Sequence, residues 1–257
     1  MVKKYPVLWF YILAFLLSWL GWAPHVAASH GVEWLQHPAF QISLLLAGGG
    51  PAIAAAIVAE ATSGKEGLKA LFRPLLRWRV NVVWYAVALL GPAVLFGGAV
   101  LWESLWAGRL AGLKAPDPWF ALFPALVTNL LINLWEEVGW RGFALPRLQA
   151  RSNALAAALT VGLLWGLWHL PLFWTQGHPF YSEPFGPWLI GITAQSILYA
   201  WLYNRAQGSL LLVSLFHAAI NTVGGVLYNG SYLAVTISSC LAAVVLVAVA
   251  AVRRRLW

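Results

Sequence analysis

Three apolar stretches of the sequence carry polar side chains of the kinds that catalyse hydrolysis. Glu136 and His169 can hold a water molecule between them and deprotonate it as it attacks a carbonyl carbon. His217 and Asn221 lie four residues apart, on one face of a helix, and can donate hydrogen bonds to the oxyanion that forms. The sequence therefore predicts a hydrolytic site in which these four residues are catalytic and no serine, threonine or cysteine is the nucleophile.

A second glutamate directly follows Glu136, and helical spacing gives the two carboxylates different roles. Glu137 and Arg141 are four residues apart, so they can form an ion pair on one helical face. Glu136 projects roughly 100° around the helix from Glu137. A charged side chain at membrane depth is costly unless it is paired or lines a wet cavity. We therefore expect Glu137 and Arg141 to be a supporting pair and Glu136 to be free for chemistry.

The elements that must position these residues are transmembrane helices. The chain is 61% hydrophobic and only 9% charged, which excludes an ordinary soluble domain. We predict an all-α polytopic membrane protein of about eight transmembrane helices, forming a single domain over 1–257 with its catalytic core at about 119–226. A window of about 19 residues places the spans at approximately 7–24, 38–61, 81–102, 119–145, 154–175, 185–204, 208–227 and 232–252.

The basic residues predict the orientation of these spans. With the amino terminus inside, thirteen lysines and arginines are cytoplasmic, including Arg253, Arg254 and Arg255, and only Arg109 and Lys114 lie outside. The positive-inside rule therefore predicts that both termini are cytoplasmic. The basic loop 62–80 is expected to form an interfacial helix on the inner leaflet. Because the positive charge flanks apolar spans, the expected partner is the lipid bilayer and not nucleic acid.

Taken together, the polar stretches resemble the three-motif signature of the CPBP (ABI) family. This family contains CAAX-processing and bacteriocin-processing intramembrane endopeptidases, including the Ras-converting type. The resemblance implies an eight-helix bundle with a cavity open toward the cytoplasm, and the same catalytic roles as above. The second motif commonly has phenylalanine where this chain has Trp165, which bears on the size of the substrate. The matching residues are Glu136-Glu137-x-x-x-Arg141, Trp165-x-x-x-His169 and His217-x-x-x-Asn221.

The resemblance does not decide whether the site binds a metal. Members of the family are often labelled metalloproteases, and Glu136, His169 and His217 would be the ligands if a divalent metal such as zinc is bound. A glutamate–histidine water site works without a metal, so we expect no obligatory cofactor.

The resemblance also implies a peptide or lipidated-protein substrate that enters from the membrane or the cytoplasmic side. We expect a bacterial or archaeal cytoplasmic membrane. In a bacterium, leader peptides or membrane proteins are better candidates than prenylated CAAX proteins.

Two other classes of protein use buried polar residues of this kind. A small proton-coupled transporter could use the glutamates, histidines and arginine as a relay, although the sequence has no internal repeat of the kind found in many carriers. A non-catalytic membrane protein of the bacteriocin-immunity type would keep the fold without the reaction. The joint presence of all four predicted catalytic residues favours the enzyme.

Overall fold

A computed structural model describes residues 1–116 and 118–252. Asp117, predicted to lie in a loop, and Arg253, Arg254 and Arg255, predicted to be cytoplasmic, fall outside the described residues. The described part of the chain is helical apart from loops and one isolated antiparallel bridge between Leu113 and Tyr228. The predicted all-α fold is confirmed.

Each predicted span contains one long helical segment, and span four is interrupted by a π-helix at Val138–Ala144. A second π-helix, Val223–Leu227, and a 3₁₀-helix, Leu170–Trp174, extend two other spans. The α-helices are α1 Pro6–Ser29, α2 Ser43–Phe72, α3 Val82–Ala107, α4 Leu122–Glu137, α5 Leu145–Gln149, α6 Ala154–Trp168, α7 Phe185–Arg205, α8 Leu210–Thr222 and α9 Tyr232–Val252.

Seven helical segments in the described part of the chain are long and apolar enough to cross a membrane. The remaining predicted span, 185–204, corresponds to α7, which has 21 residues but carries polar side chains such as Gln195 and Asn204. This composition supports the prediction of a polytopic, integral membrane protein.

The predicted interfacial helix is helical only as far as Leu76. Gly64, with a φ of 60°, breaks the path of α2 in a left-handed conformation that glycine adopts without strain. Beyond this break Gly67 packs directly on the carbonyl of Ala59, so the basic segment turns back against its own helix. Its position on the inner leaflet stays a prediction.

Small residues let the helices approach one another closely, as is common in membrane bundles. The Cα of Gly21 faces the backbone of Ala47 where α1 crosses α2, and Gly162 faces Ser196 where α6 crosses α7. Gly139, in the first π-helix, lies so close to Pro51 that a Cβ atom there would come within 2.5 Å of the proline ring. This contact fixes the segment that carries the tandem glutamates against α2.

The bundle has two distinct ends. At one end, the guanidinium of Arg77 donates to the carbonyl of Gln207, and the Ser209 hydroxyl donates to the carbonyl of Arg77. This end carries ten described lysines and arginines. They are Lys3, Lys4, Lys65, Lys69, Arg73, Arg77, Arg79, Arg147, Arg151 and Arg205.

The opposite end is formed by the loops around residues 30–42, 108–116, 175–184 and 228–231. The Nζ atom of Lys114 donates to the carbonyl of Gly225 at 2.9 Å, and the amide of Ser231 donates to Glu103 at 2.5 Å. These bonds tie the 108–116 loop and the end of α3 to the segment that joins α8 and α9.

Candidate active site

All four predicted catalytic residues line one cavity of about 770 Å³. The cavity lies between the carboxyl-terminal parts of α3, α6 and α8, the carboxyl-terminal half of α4 and the amino-terminal parts of α7 and α9. Aromatic side chains form much of its wall, including Phe96, Trp165, Phe180, Trp188, Tyr199, Tyr228 and Tyr232. The prediction that the three polar stretches converge therefore agrees with the structure.

Glu136 is positioned by a tryptophan from a neighbouring helix. The indole Nε1 of Trp165 donates a hydrogen bond of 2.9 Å to Glu136 Oε2. Glu136 is 8% exposed, and the exposed part faces the cavity. One carboxylate oxygen is therefore held by α6, and the other is left for a ligand in the cavity.

Glu137 makes the predicted ion pair and one bond that was not predicted. Its Oε1 atom accepts from Arg141 at 2.9 Å and from His217 Nδ1 at 2.8 Å. The guanidinium of Arg141 also lies between the rings of Trp165 and Tyr199, 4.3 and 4.2 Å from their centroids, where both aromatic faces attract its charge. Glu137 and Arg141 are fully buried and do not line the cavity, so this pair holds the neighbouring side chains of the site in place.

The helix carrying both glutamates changes form immediately after them. α4 ends at Glu137, and the π-helix Val138–Ala144 follows with Gly139 pressed against Pro51. A π-helical turn widens the backbone and is frequent at functional sites. The sequence did not predict this turn, because the close contact with α2 arises only in the packed bundle.

Three polar pairs join α4 to α8 in a ladder. The first is the bond between Glu137 and His217. The second is the bond from Asn221 Nδ2 to Asn133 Oδ1 at 3.3 Å, and the third runs from Asn129 Nδ2 to Thr222 Oγ1 at 3.0 Å. Hydrogen bonds of this kind hold membrane helices together and are worth about 0.6–2 kcal/mol each. The ladder fixes the register of His217 and Asn221 relative to the glutamates.

His169 lies just beyond the end of α6, where the 3₁₀-helix Leu170–Trp174 follows, as the helix-breaking character of Pro171 predicts. Its Nδ1 is 2.8 Å from the carbonyl oxygen of Trp165. A carbonyl can only accept, so Nδ1 carries the proton and the neutral ring presents Nε2 as an acceptor. The edges of Trp165, Trp168 and Trp188 pack around the imidazole, which confirms the predicted contact with Trp165.

His217 and Asn221 share a helical face as predicted, but each of them already uses one polar group in a hydrogen bond to α4. His217 Nδ1 donates to Glu137, which leaves Nε2 as its remaining nitrogen. The amide nitrogen of Asn221 donates to Asn133 while its side chain lines the cavity. The two side chains are therefore held by α4 and do not both donate freely toward the cavity.

The three possible metal ligands do not form a cluster. Across residues 1–116 and 118–252, no three histidine, cysteine, aspartate or glutamate side chains are grouped as a metal ion would require. Glu136, His169 and His217 line the same cavity, but as placed they do not fit a three-ligand zinc centre.

Four further polar residues in the cavity or its walls were not assigned roles from the sequence. Asn129 and Asn133 precede Glu137 at intervals of four residues, so their spacing could have indicated the ladder. Gln195 and Tyr199 share a face of α7 and line the cavity opposite α4. A role for Tyr199 could not be predicted from spacing, because its contact with Arg141 joins two helical segments that are distant in sequence.

The cavity extends to the end of the bundle opposite the basic residues, and exposed residues at the middle of the bundle, Ile132 on α4 and Asn221 on α8, line it as well. Pro179, Phe180, Asn229 and Gly230 belong to the loops at this end and line the cavity. His178 also lies there, and burial lowers the pKa of its imidazole, which favours the neutral ring. The loops that line this part of the cavity lie at the opposite end from the predicted cytoplasmic termini, and the side of the membrane to which the cavity opens stays a prediction.

The fold and the site define a polytopic membrane protein with a polar, glutamate- and histidine-lined cavity inside the bundle. Residues 118–223 match the family described as type II CAAX prenyl endopeptidase Rce1-like. This segment holds all four predicted catalytic residues. The resemblance to the CAAX protease family, predicted from the three motifs, is confirmed.

A relative from the archaeon Methanococcus maripaludis, named CAAX prenyl protease 2, is 32% identical to this chain over 105 residues. The match covers 38% of this chain and 38% of the relative, so it spans well under half the length of either protein.

Proposed function

We propose that this chain is an intramembrane endopeptidase that hydrolyses a peptide bond of membrane-associated or lipid-anchored substrates. The observation that carries the proposal is the convergence of Glu136, His169, His217 and Asn221 on one cavity inside the bundle. The family match over 118–223 supports the same class of reaction. Because the matched relative is covered only in part, activity and substrate belong to the proposal and are not carried over from its name.

In the proposed reaction, Glu136 and His169 activate water. Trp165 holds Glu136 Oε2, so Oε1 can accept a proton from a water molecule in the cavity. His169 presents Nε2 as a second acceptor, because its Nδ1 proton is committed to the carbonyl of Trp165. The water oxygen attacks the peptide carbonyl carbon, and the proton it releases passes through the glutamate to the leaving amine nitrogen as the C–N bond breaks.

His217 and Asn221 are proposed to stabilise the oxyanion. His217 Nδ1 already donates to Glu137, so a second donation from Nε2 requires the doubly protonated ring. The carboxylate of Glu137, 2.8 Å from Nδ1, fixes the orientation of the imidazole relative to the cavity. Donors aimed at the developing negative charge in a dry site are worth several kcal/mol each.

The aromatic walls of the cavity suit apolar side chains or a lipid group attached to the substrate. Rings such as Phe96, Trp188 and Tyr232 provide apolar surface next to a small number of polar groups, which is the usual composition of a ligand site. A prenylated peptide and an unmodified hydrophobic leader peptide both fit this description. The proposal therefore commits to a membrane-held peptide and leaves the anchor to be identified.

The decisive experiment compares membrane peptides from cells that produce the wild type, Glu136→Gln or Glu60→Gln. Glu60 is an exposed glutamate at the basic end of α2 and serves as the matched control. Mass spectrometry should find cleavage products with the wild type and the control that are lost with Glu136→Gln. If the three peptide sets are the same, the protease proposal is wrong.

Two further measurements address the other classes of protein. Proton flux into liposomes that hold the purified protein, abolished by Glu136→Gln, would favour a transporter. Protection of cells from a bacteriocin by Glu136→Gln as well as by the wild type would favour a non-catalytic immunity protein.

A further inference from the structure

The segment between the membrane-spanning parts of α2 and α3, residues 65–79, has a strong excess of basic side chains. Five of its residues are lysine or arginine, and Glu66 is its one acidic residue. All five basic side chains are exposed, and they are Lys65, Lys69, Arg73, Arg77 and Arg79.

Three of these residues form a stripe along one side of the segment. Lys65, Lys69 and Arg73 follow one another at intervals of four residues, and we call them the basic stripe. Lys69 pairs with Glu66 at 2.7 Å, but both side chains are more than 70% exposed, and such a pair contributes little. Lys65 and Arg73 have no acidic partner within the part of the chain that the structure describes. The basic stripe therefore keeps an unbalanced positive charge.

The apolar side of the segment packs against the bundle. Gly67 and Leu71 are buried, and Phe72 and Leu75 are partly buried against the core. An amphipathic helix that binds a membrane by insertion turns its apolar face to the acyl chains. Here protein covers that face, which leaves the basic stripe on the outward surface. The segment therefore meets its surroundings through charge.

The end of the segment is fixed to the bundle through its backbone and one side chain. The guanidinium of Arg77 donates to the carbonyl of Gln207, and the Ser209 hydroxyl donates to the carbonyl of Arg77 at 2.6 Å. Because Arg77 is used in this contact, its charge is not part of the basic stripe. The stripe is presented on a fixed frame and needs no rearrangement to bind a ligand.

The basic stripe lies at the level of the lipid headgroups. The 30 residues of α2 would extend over roughly 45 Å, whereas the hydrocarbon core of a bilayer is about 30 Å thick. The chain turns at Gly64 and enters α3 only after the stripe. Leu76 and Trp78, which follow the stripe, are 78% and 58% exposed, and tryptophan is enriched at the boundary between membrane and water.

We propose that Lys65, Lys69 and Arg73 form a binding site for the phosphate groups of anionic phospholipids. Each basic residue next to an anionic membrane surface strengthens binding by roughly fivefold. None of the three residues lines the cavity, so the site is separate from the proposed active site. The proposal does not depend on the protease function.

Native mass spectrometry of the full-length protein in an uncharged detergent tests this site. The protein is titrated with phosphatidylglycerol or with phosphatidylcholine of the same acyl chains. The wild type should bind phosphatidylglycerol at least about tenfold more tightly. Added salt should reduce this preference, because exposed charges are screened. Equal binding of the two lipids by the wild type overturns the proposal without the need for any variant.

The variant K65Q/K69Q/R73Q assigns the preference to the basic stripe. It should lose at least about tenfold in affinity for phosphatidylglycerol and keep the wild-type affinity for phosphatidylcholine. The matched control removes three exposed positive charges from other segments at the same end and should keep the preference; it is K3Q/K4Q/R151Q. Equal losses in the two variants would mean that net charge, and not the stripe, attracts the lipid, and would contradict the proposal.

Thermal unfolding distinguishes a lipid headgroup from a free anion. Phosphatidylglycerol should raise the unfolding midpoint of the wild type, since a ligand that binds only the folded state stabilises it. The same concentration of inorganic phosphate should have a smaller effect. A rise as large with phosphate alone would show a site for a free anion and overturn the proposal. In phosphatidylcholine, K65Q/K69Q/R73Q should unfold at the wild-type midpoint, because all three side chains are exposed.

Discussion

The indole nitrogen of Trp165 and the Oε2 atom of Glu136 are joined by a hydrogen bond of 2.9 Å that spans the gap between α6 and α4. The same indole ring covers the guanidinium of Arg141 and meets the edges of His169 and His217. Trp165 therefore contacts members of all three motifs. Phenylalanine, which is common at this position in the family, would keep the ring contacts but could not donate the bond.

Trp165→Phe should lower the rate of product formation without unfolding the protein. A hydrogen bond to a charged group contributes about 1.5–3 kcal/mol, so loss of an oriented carboxylate should slow cleavage by roughly ten- to a hundredfold. The measurement is the rate at which Glu136-dependent peptides accumulate, normalised to the amount of folded protein.

Trp140→Phe is the matched control for this variant. Trp140 is fully buried, and its indole nitrogen finds no hydrogen-bond acceptor among the described residues. This substitution removes the same ring volume but no hydrogen bond. Equal losses of rate in both variants would show that Trp165 acts through packing and not through its N–H group.

Glu137→Gln should destabilise the protein, because it leaves the charge of Arg141 buried without a counter-ion. Removing one partner of a buried pair typically costs about 3–5 kcal/mol. The thermal unfolding midpoint in detergent should fall clearly. Glu66→Gln, which breaks an exposed pair with Lys69 of 2.7 Å, is the control and should show almost no change. A stable Glu137→Gln protein would mean that Arg141 is held mainly by Trp165 and Tyr199.

Periodicity and spacing within one helix were enough to predict much of the architecture. The eight spans follow from hydropathy, and the Glu137–Arg141 pair follows from a separation of four residues. Contacts between helices were not predictable in this way. The bonds from Trp165 to Glu136 and from His217 to Glu137 depend on how α6 and α8 pack against α4.

The π-helix at Val138–Ala144 shows the same limit. Gly139 has no special meaning in the sequence, and its contact with Pro51 exists only once α2 and α4 are packed.

Treatment with a chelator should leave the cleavage rate unchanged. The reason is the arrangement of the donors, since no three suitable ligands are grouped within the described residues. The test is to incubate the purified protein with 1,10-phenanthroline, remove the chelator and measure product formation with and without added zinc. Activity that is lost and then restored by zinc would show that Glu136, His169 and His217 rearrange to bind a metal.

Gly139→Ala should reduce both stability and activity, because the added methyl group would overlap Pro51. Its Cβ would lie 2.5 Å from the Cβ of Pro51 and 2.8 Å from the proline carbonyl, and backbone cannot move aside as a flexible side chain can. Relief of this overlap must shift the π-helix away from α2, and Glu136 and Glu137 directly precede that helix. Overpacking of this kind costs about 1–3 kcal/mol.

The control for this variant is Gly97→Ala in α3. Apart from its chain neighbours and the nearby backbone of its own helix, no atom lies within 4 Å of a Cβ placed on Gly97, and alanine favours a helix interior over glycine by about 0.5–1 kcal/mol. The unfolding midpoint of Gly97→Ala should therefore be unchanged or slightly higher, while that of Gly139→Ala falls together with the yield of cleavage products. A Gly139→Ala protein that is as stable and active as the wild type would contradict the view that the contact with Pro51 holds the tandem glutamates in position.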